Sequence, residues 1–337
     1  MTETEAWSKR EAAVPTFEQF QQRAFAACTP HQMTAYVPVW RQASLSLGHR
    51  PLDTITTLDL RILQQRAVEN AAQRATSRGG RYAGERALQA LRALFKMAEQ
   101  DNWIDHRHNP AAQLPLPRRK PSTRRALTSQ EIAEINEVVP VGSRDAALDC
   151  LIMRLHLETA CRRGGALGLR LADLDTRWCL VRLREKGGTM RWQPVSPTLA
   201  AALDRHARTR GAVHGDDALL RRADGRPISS RHYDALWRRI RARLPWAGAY
   251  GVSAHWLRHT TITWVERRFG YGVARAYAGH TDTASAPTAT FIRARLVEIA
   301  GALSALTGEP HPLLEPAVAR RTLRLAAQAP DDWDVAA

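Results

Sequence analysis

The sequence predicts a mainly α-helical protein with one small β-sheet, and three observations support this fold class. A length of 337 residues suits two domains of ordinary size, each with its own core. Apolar residues at helical spacing indicate one buried helix face toward the end of the first domain. These residues are Leu88, Leu91, Leu94, Phe95 and Ala98. Residues 178–196 alternate in polarity on both sides of Gly187-Gly188, which predicts a β-hairpin.

Prolines and a basic segment divide the chain. Pro110, Pro115 and Pro117 cannot continue a helix, and the segment RRKPSTRR that follows is strongly basic and should be extended. We therefore expect a tail at 1–16, a helical bundle at 17–114, a basic linker at 115–125, a second domain at 126–312 and a C-terminal helix and tail at 313–337.

The second domain should be mostly helical around its single hairpin. A capping box at Thr128-Ser-Gln-Glu131 opens its first helix, and Lys186 stands at the tip of the hairpin. Ser196-Pro197 is typical of a helix start. Another helix is expected to begin near Ser253 and to carry His255, Arg258, Ile262 and Val265.

The charge of the chain indicates a polyanionic partner. Its 49 Lys and Arg against 33 Asp and Glu give a formal net charge of +16, which favours duplex DNA held through phosphate contacts. The positive residues are nearly all Arg, so Lys186 is an exception that needs a reason. We expect DNA contacts from the linker residues Arg118, Arg119, Lys120, Arg124 and Arg125, and from Arg86, Arg92 and Lys96 of the first domain.

Membrane insertion and export are not indicated. No apolar run approaches the roughly 18 residues that a membrane span needs, and the first residues lack the apolar stretch of a secretory signal. The four cysteines show no CxxC pairing, so neither export nor a disulfide framework is indicated. These features favour a soluble protein of the reducing cytoplasm.

Four segments of the second domain stand in an informative order. They are TACRRGGALGLRLADLD (159–175), REKGG (184–188), HWLRH (255–259) and AGH (278–280). This order resembles that of the tyrosine recombinases, or phage-type integrases, whose catalytic domain carries Arg, Lys, His-x-x-Arg, Gly-His and a final Tyr. The matching residues are Arg162, Lys186, His255, Arg258, His280 and, at the tyrosine's place, Phe291. Gly165 stands where the family usually has an acidic residue, and Arg163 leaves the first assignment open by one position.

The resemblance implies both an architecture and a reaction. It implies a helical core-binding (SAM-like) domain and a tyrosine-recombinase catalytic domain that close around duplex DNA, with four protomers on two sites. The reaction is site-specific recombination or integration through a 3'-phosphotyrosyl intermediate, without cofactor, metal or ATP.

The chemistry of that reaction needs these residue types. Arg162 and Arg258 suit the non-bridging oxygens because guanidinium groups stay charged and match phosphate bidentately. Lys186 is suited to protonate the leaving 5'-oxygen, a task that the high pKa of Arg forbids. For His255 we expect general-base or hydrogen-bonding work, and for His280 a hydrogen bond to a phosphate oxygen.

Phe291 lacks the hydroxyl of a nucleophile, so the chain as written is expected to be deficient in cleavage. The sequence does not distinguish an engineered from a natural change at this position. Tyr271 and Tyr277 are the nearest alternative nucleophiles, although both precede His280. Further alternatives are a non-catalytic DNA-binding relative, a type IB topoisomerase, and a metal-dependent nuclease that would use His255, His259 and His280.

Overall fold

A computed structural model describes residues 13–72, 82–116, 124–184, 190–280, 296–316 and 322. It confirms the predicted fold class, because the described residues form helices and one three-stranded sheet. The chain divides into two compact units, Met1–Pro121 and Ser122–Ala337. The centre of the predicted linker, the hairpin tip and most of the expected C-terminal helix lie outside the described residues.

The first unit is a helical bundle. Its helices are α1 (Phe17–Ala26), α2 (Pro30–Leu47), α3 (Thr57–Ala72) and α4 (Ala83–Gln100), with 3-10 turns at Leu52–Thr54 and His106–His108. The apolar face predicted on α4 is buried in the core of this unit, against Phe17, Phe20 and Trp40. Trp40 also donates its indole N–H to the Ala90 carbonyl at 2.7 Å, which ties α2 to α4.

The second unit contains eight helices among its described residues. They are α5 (Ser129–Val138), α6 (Ala146–Thr159), α7 (Arg163–Leu167), α8 (Pro197–Thr209), α9 (Ser230–Arg243), α10 (Pro245–Tyr250), α11 (Ala254–Ala278) and α12 (Leu296–Thr307). The capping box predicted at Thr128 is confirmed, since Thr128 and Glu131 exchange side-chain and backbone hydrogen bonds. The start predicted at Ser196 is also confirmed, with its hydroxyl accepting from the Leu199 N–H.

The sheet lies beside these helices and confirms the two strands of the predicted hairpin. Strands β1 (Leu174–Asp175), β2 (Leu180–Arg184) and β3 (Met190–Pro194) are antiparallel in the order β1-β2-β3. Val181 pairs with Gln193. Alternation along β3 leaves Met190 and Trp192 exposed and turns Arg191 and Gln193 toward the protein.

Helix α11 is the long element that carries the HWLRH and AGH segments. Its backbone breaks at Gly270, where φ is 82°, and it ends at Gly279, where φ is 64°. It packs against α6 and against α12, through a cluster that includes Trp264, Tyr277 and Leu303. Neither α11 nor any other helix in the described part of the chain combines the length and the apolar character needed to cross a membrane.

Candidate functional site

Arg258 is the buried centre of the candidate site. Only 3% of its surface is exposed, and its guanidinium donates to the carbonyls of Ala160 and Ala278, the latter at 2.7 Å. Its Nη2 also lies 3.5 Å from Nε2 of His280. Ala160 ends α6 in the left-handed conformation (φ 49°), a region that alanine rarely adopts. Arg258 therefore joins the end of α6 to the end of α11.

Arg162 lies beside this centre, directly after the left-handed turn. It is half-buried at the start of α7 and is one of the cations whose charge acts on His255. Arg163 instead pairs with Asp234 at 3.2 Å, and both of these side chains are about half exposed. Of the two arginines that the sequence left open, Arg162 is close enough to His255 for its charge to act there, whereas Arg163 pairs with Asp234 on α9.

The peptide preceding Arg162 is held by a buried histidine. His156 is 0% exposed; its Nδ1 lies 3.1 Å from the Cys161 carbonyl and its Nε2 2.9 Å from the Tyr233 hydroxyl. A carbonyl only accepts, so Nδ1 carries a proton and donates it to the Cys161 carbonyl. The buried ring thereby contacts both partners and fixes the backbone from which Arg162 projects.

His255 lies on the first turn of α11, near the surface and among cations. Partial desolvation and, after it, the positive charge of Arg124 hold the pKa of His255 at about 4. The other cationic neighbours are Arg258, His259 and Arg162. At neutral pH His255 is therefore an uncharged imidazole that is able to accept a proton.

We expect the pKa of His255 to rise when duplex DNA binds. A phosphate at this site would stabilise the imidazolium, so the titration midpoint should move upward from about 4 by at least about one pH unit. The measurement is an NMR titration of the histidine ring protons with and without duplex. His206 is the matched control, because burial holds its pKa at about 4 as well and it lies on α8. Equal movement at both histidines would show that DNA does not act on His255 locally.

The Gly279–His280 turn ends α11 and delivers the second histidine. Gly279 adopts a left-handed conformation, and the His280 N–H donates to the Arg275 carbonyl at 3.0 Å, as in a Schellman motif. His280 is exposed and stands next to Arg258. The Gly-His pair of the sequence is thus a helix C-cap followed by a side chain at the site.

The end of the basic linker also reaches this region of the second unit. Arg124 acts electrostatically on both His255 and His259. The side chain of Arg125 is instead engaged by Glu131 at 2.5 and 2.6 Å and lies over the ring of Tyr250. Arg118, Arg119 and Lys120 lie outside the described residues.

The basic residues predicted to contact DNA from the first unit differ in their surroundings. Arg86 is exposed on α4. Lys96 pairs with Glu99 at 2.7 Å, whereas Arg92 is half-buried and donates to the carbonyls of Ala111 and Leu114. Arg92 therefore holds the segment after α4 against that helix, a structural task that helical spacing alone did not indicate.

The position of the nucleophile lies between α11 and α12. Phe291 and Lys186 are both outside the described residues. Tyr277, offered above as an alternative nucleophile, is 0% exposed, and its hydroxyl donates to the Glu158 carbonyl. Burial raises the pKa of Tyr277 far above its usual range. That alternative is wrong for this fold, because the phenol is buried in protein and already donates its proton. Tyr271 is 58% exposed, and Arg275 donates to its hydroxyl at 3.2 Å.

The metal-site alternative is not supported by the arrangement of its histidines. His255, His259 and His280 are all described, and no group of three His, Cys, Asp or Glu residues in the described ranges is placed to hold a metal ion. His259 contacts Thr263, with Nδ1 3.2 Å from the hydroxyl oxygen. His259 therefore makes a local hydrogen bond on α11. The HxxxH spacing does not form part of a three-ligand metal site among the described residues.

Arg191 is a residue at this site that the sequence did not single out. It lies on β3, half-buried, with its side chain against Gly279. Its place in the predicted hairpin could have indicated Arg191, because an Arg at an inward-facing strand position must find a polar or charged environment.

Comparisons with known proteins show what the second unit is similar to. Residues 125–290 match the phage integrase family. The tyrosine recombinase XerD of Mycobacterium leprae is 31% identical over 194 residues, covering 53% of this chain and 59% of that protein. The tyrosine recombinase XerC of Rhodospirillum centenum is 33% identical over 140 residues, covering 39% of each chain. This chain thus spans less than two thirds of the length of either relative.

Solved structures show the same fold. A lambda integrase dimer bound to a COC' core site superposes with a TM-score of 0.61 at 18% identity, covering 79% of this chain and 94% of that chain. A lambda integrase tetramer bound to a Holliday junction gives 0.61 at 16% identity, covering 80% and 77%. The fold is a helical N-terminal domain followed by an integrase catalytic domain. The segment that is similar to the phage integrase family, residues 125–290, contains Arg162, His255, Arg258 and His280.

Proposed function

We propose that this protein is a site-specific DNA recombinase or integrase whose present sequence binds its DNA site without cleaving it. The observation that carries the proposal is the convergence of Arg162, His255 and His280 around the buried Arg258. These groups come from the end of α6, the start of α11 and the end of α11. Fixed cations beside a neutral imidazole suit a phosphodiester that gains negative charge in its transition state.

The two arginines have different tasks in this proposal. Arg258 is fixed by two backbone carbonyls, so the orientation of its guanidinium group is set before substrate arrives. Arg162 is less buried and supplies a second charge to the same phosphate. Preorganised donors of this kind are worth most where water is excluded, which is the case for Arg258.

The proton transfers fall to the other residues. His255 is uncharged at neutral pH, and we assign it the general-base role on the condition that a bound phosphate raises its pKa toward the operating pH. We assign His280 a hydrogen bond to a phosphate oxygen, and Lys186 the protonation of the leaving 5'-oxygen. A phosphotyrosyl bond would conserve the energy of the broken phosphodiester, so the reaction requires neither ATP nor metal.

Phe291 favours a second candidate function. Without a hydroxyl at this position the chain has no group in its closing segment to form the covalent link, so a non-catalytic DNA-binding relative is the alternative. Both candidates share the partner, duplex DNA with a specific site. For the active form we propose a tetramer on two sites, which the tetrameric lambda integrase supports by its similarity of fold. We also propose that the protein is soluble and cytoplasmic and that it acts on a mobile genetic element.

We expect the protein to select specific duplexes from a random pool and to bind them with strong salt dependence. The net charge of +16 should displace several counterions, and each phosphate contact adds about 0.9 to the slope of log affinity against log salt. The measurement is repeated selection followed by titration of a labelled duplex at several salt concentrations. A flat salt dependence, or a pool without enriched sequences, would contradict both candidate functions.

We expect Arg162, and not Arg163, to be essential for cleavage by a Phe291→Tyr protein. Removing one charge-stabilising donor typically costs 10²–10³-fold in rate, and Arg162→Ala should show about that loss. Arg163→Ala removes only the exposed pair with Asp234 and should change the rate by a few-fold at most. The rate of covalent attachment to nicked duplex is the measurement. The larger loss at Arg163 would move the assignment by one residue.

A further inference from the structure

Arg191 lies beneath the turn that carries His280. A methyl carbon placed on Gly279 would lie 2.2 Å from Nε of Arg191, 2.6 Å from its Cδ and 3.1 Å from its Cζ. These distances mean that the guanidinium stem runs directly under the α-carbon of Gly279. A side chain at this position would have to displace the Arg191 side chain, in addition to the cost of the left-handed backbone, which favours glycine (φ 64°).

The sheet register determines the direction of Arg191. Arg191 alternates with the exposed Met190 and Trp192. It pairs with Leu183 of the neighbouring strand β2, a residue that is 0% exposed. Its Nη1 donates to the side-chain oxygen of the buried Gln193. The side chain is therefore held along the inner side of β3.

Arg191 and Arg258 contact the same turn from different elements. Arg258 binds the Ala278 carbonyl and approaches the His280 imidazole, whereas Arg191 packs against Gly279 between them. Arg191 is also close enough to the buried Cys161 and Tyr277 for its charge to act on both. Two guanidinium groups thus flank the three residues that end α11, where helix carbonyls favour positive charge.

We propose that Arg191 is a positioning residue that fixes the Gly279–His280 turn and so places the His280 imidazole beside Arg258. Its consequence for catalysis rests on the function proposed above, but its effect on His280 does not. Without the Arg191 side chain, the turn would lose its support from β3, and the imidazole would sample a wider range of positions. A displacement of about 1 Å at a reacting centre can cost on the order of 10²-fold in rate.

The test measures His280 directly in the DNA-free protein. The chain has 12 histidines, so the His280 ring signal in a ¹H–¹³C spectrum is identified by its disappearance in His280→Gln. We expect Arg191→Met to shift and broaden this signal while the ring signal of His206 stays in place. Arg205→Met is the matched control, because it removes an exposed arginine from α8 and should leave His280 unchanged. An unchanged His280 signal in folded Arg191→Met would overturn the proposal.

A second measurement covers the case in which Arg191→Met does not fold. A Cβ at position 279 collides with the Arg191 side chain, so Gly279→Ala should lower Tm more in the parent chain than in Arg191→Ala. The backbone strain of the left-handed turn is common to both backgrounds and cancels in the comparison. Equal losses of Tm would show that the contact does not hold the turn. A Phe291→Tyr protein that fails to cleave would count against the proposed function and would leave both of these measurements standing.

Discussion

Replacing Phe291 by tyrosine should turn a protein that binds DNA and stops into one that cleaves and rejoins it. Phe and Tyr share their ring shape, so folding and DNA affinity should change little. The phenolic oxygen is the only group missing from the segment GHTDTASAPTATFIRA (279–294) that would form a phosphotyrosyl link. Where catalytic residues act as a unit, loss of the nucleophile costs on the order of 10⁶ in rate, so the Phe291 form should show no cleavage.

The experiment uses the Phe291 form to find the binding site and the Phe291→Tyr form to test for cleavage. The Phe291 protein first selects its binding site from random duplexes. That site is then nicked and incubated with the Phe291→Tyr protein, and a denaturing gel shows whether protein is attached to the DNA 3' end. Attachment by the Phe291 form would point to Tyr271, since Tyr277 is buried. Absence of attachment by the Phe291→Tyr form would favour the non-catalytic relative.

Replacing Arg258 by methionine should damage both stability and activity. The change leaves the carbonyls of Ala160 and Ala278 without the donor that binds them in a buried place. Unsatisfied buried groups cost roughly 1–3 kcal/mol each, so the free energy of unfolding should fall by about 2–6 kcal/mol. In a unit of this size, that loss corresponds to a fall in Tm of roughly 4–24 °C. In the Phe291→Tyr background, cleavage should be abolished as well.

Two controls separate the structural from the chemical role of Arg258. Arg163→Met removes an arginine that is exposed and paired with Asp234, and it should cost less than about 1 kcal/mol. Arg258→Lys keeps the positive charge but lacks the planar fork that reaches two carbonyls, so it should recover only part of the stability. If Arg258→Met and Arg163→Met melt at the same temperature, the two carbonyl contacts do not stabilise the fold.

Local features of this chain could be predicted from sequence because their cause is local. The capping box of Thr128 and Glu131 needs only residues three apart, and the strands flanking Gly187-Gly188 need only alternation around a tight turn. The helix start at Ser253 was predicted from the same kind of signal, although its hydroxyl makes no capping bond. The break at Gly270 was not predicted, since a glycine within a helical pattern is often tolerated.

The site itself shows where such reasoning stops. Its residue types were predicted, because a reaction at a phosphodiester needs arginine, histidine and lysine side chains. Their order along the chain resembles that of a known family. The burial of Arg258 could not be predicted, since it depends on carbonyls that are 98 and 20 residues away in the chain. The burial of Tyr277 and the contact of Arg191 with Gly279 have the same long-range origin.

By itself, the sequence determined the helical character of this protein, its hairpin, its charge and the order of the groups proposed to bind a phosphate. Only the tertiary structure decided that the charge of Arg162 acts on His255 while Arg163 pairs with Asp234. Adjacent side chains on a turn point in different directions. The tertiary structure also decided that β3 supports the end of α11. The physical reason is that periodicity and capping act within a few residues, whereas the neighbours of a buried guanidinium are set by how distant helices and strands pack together.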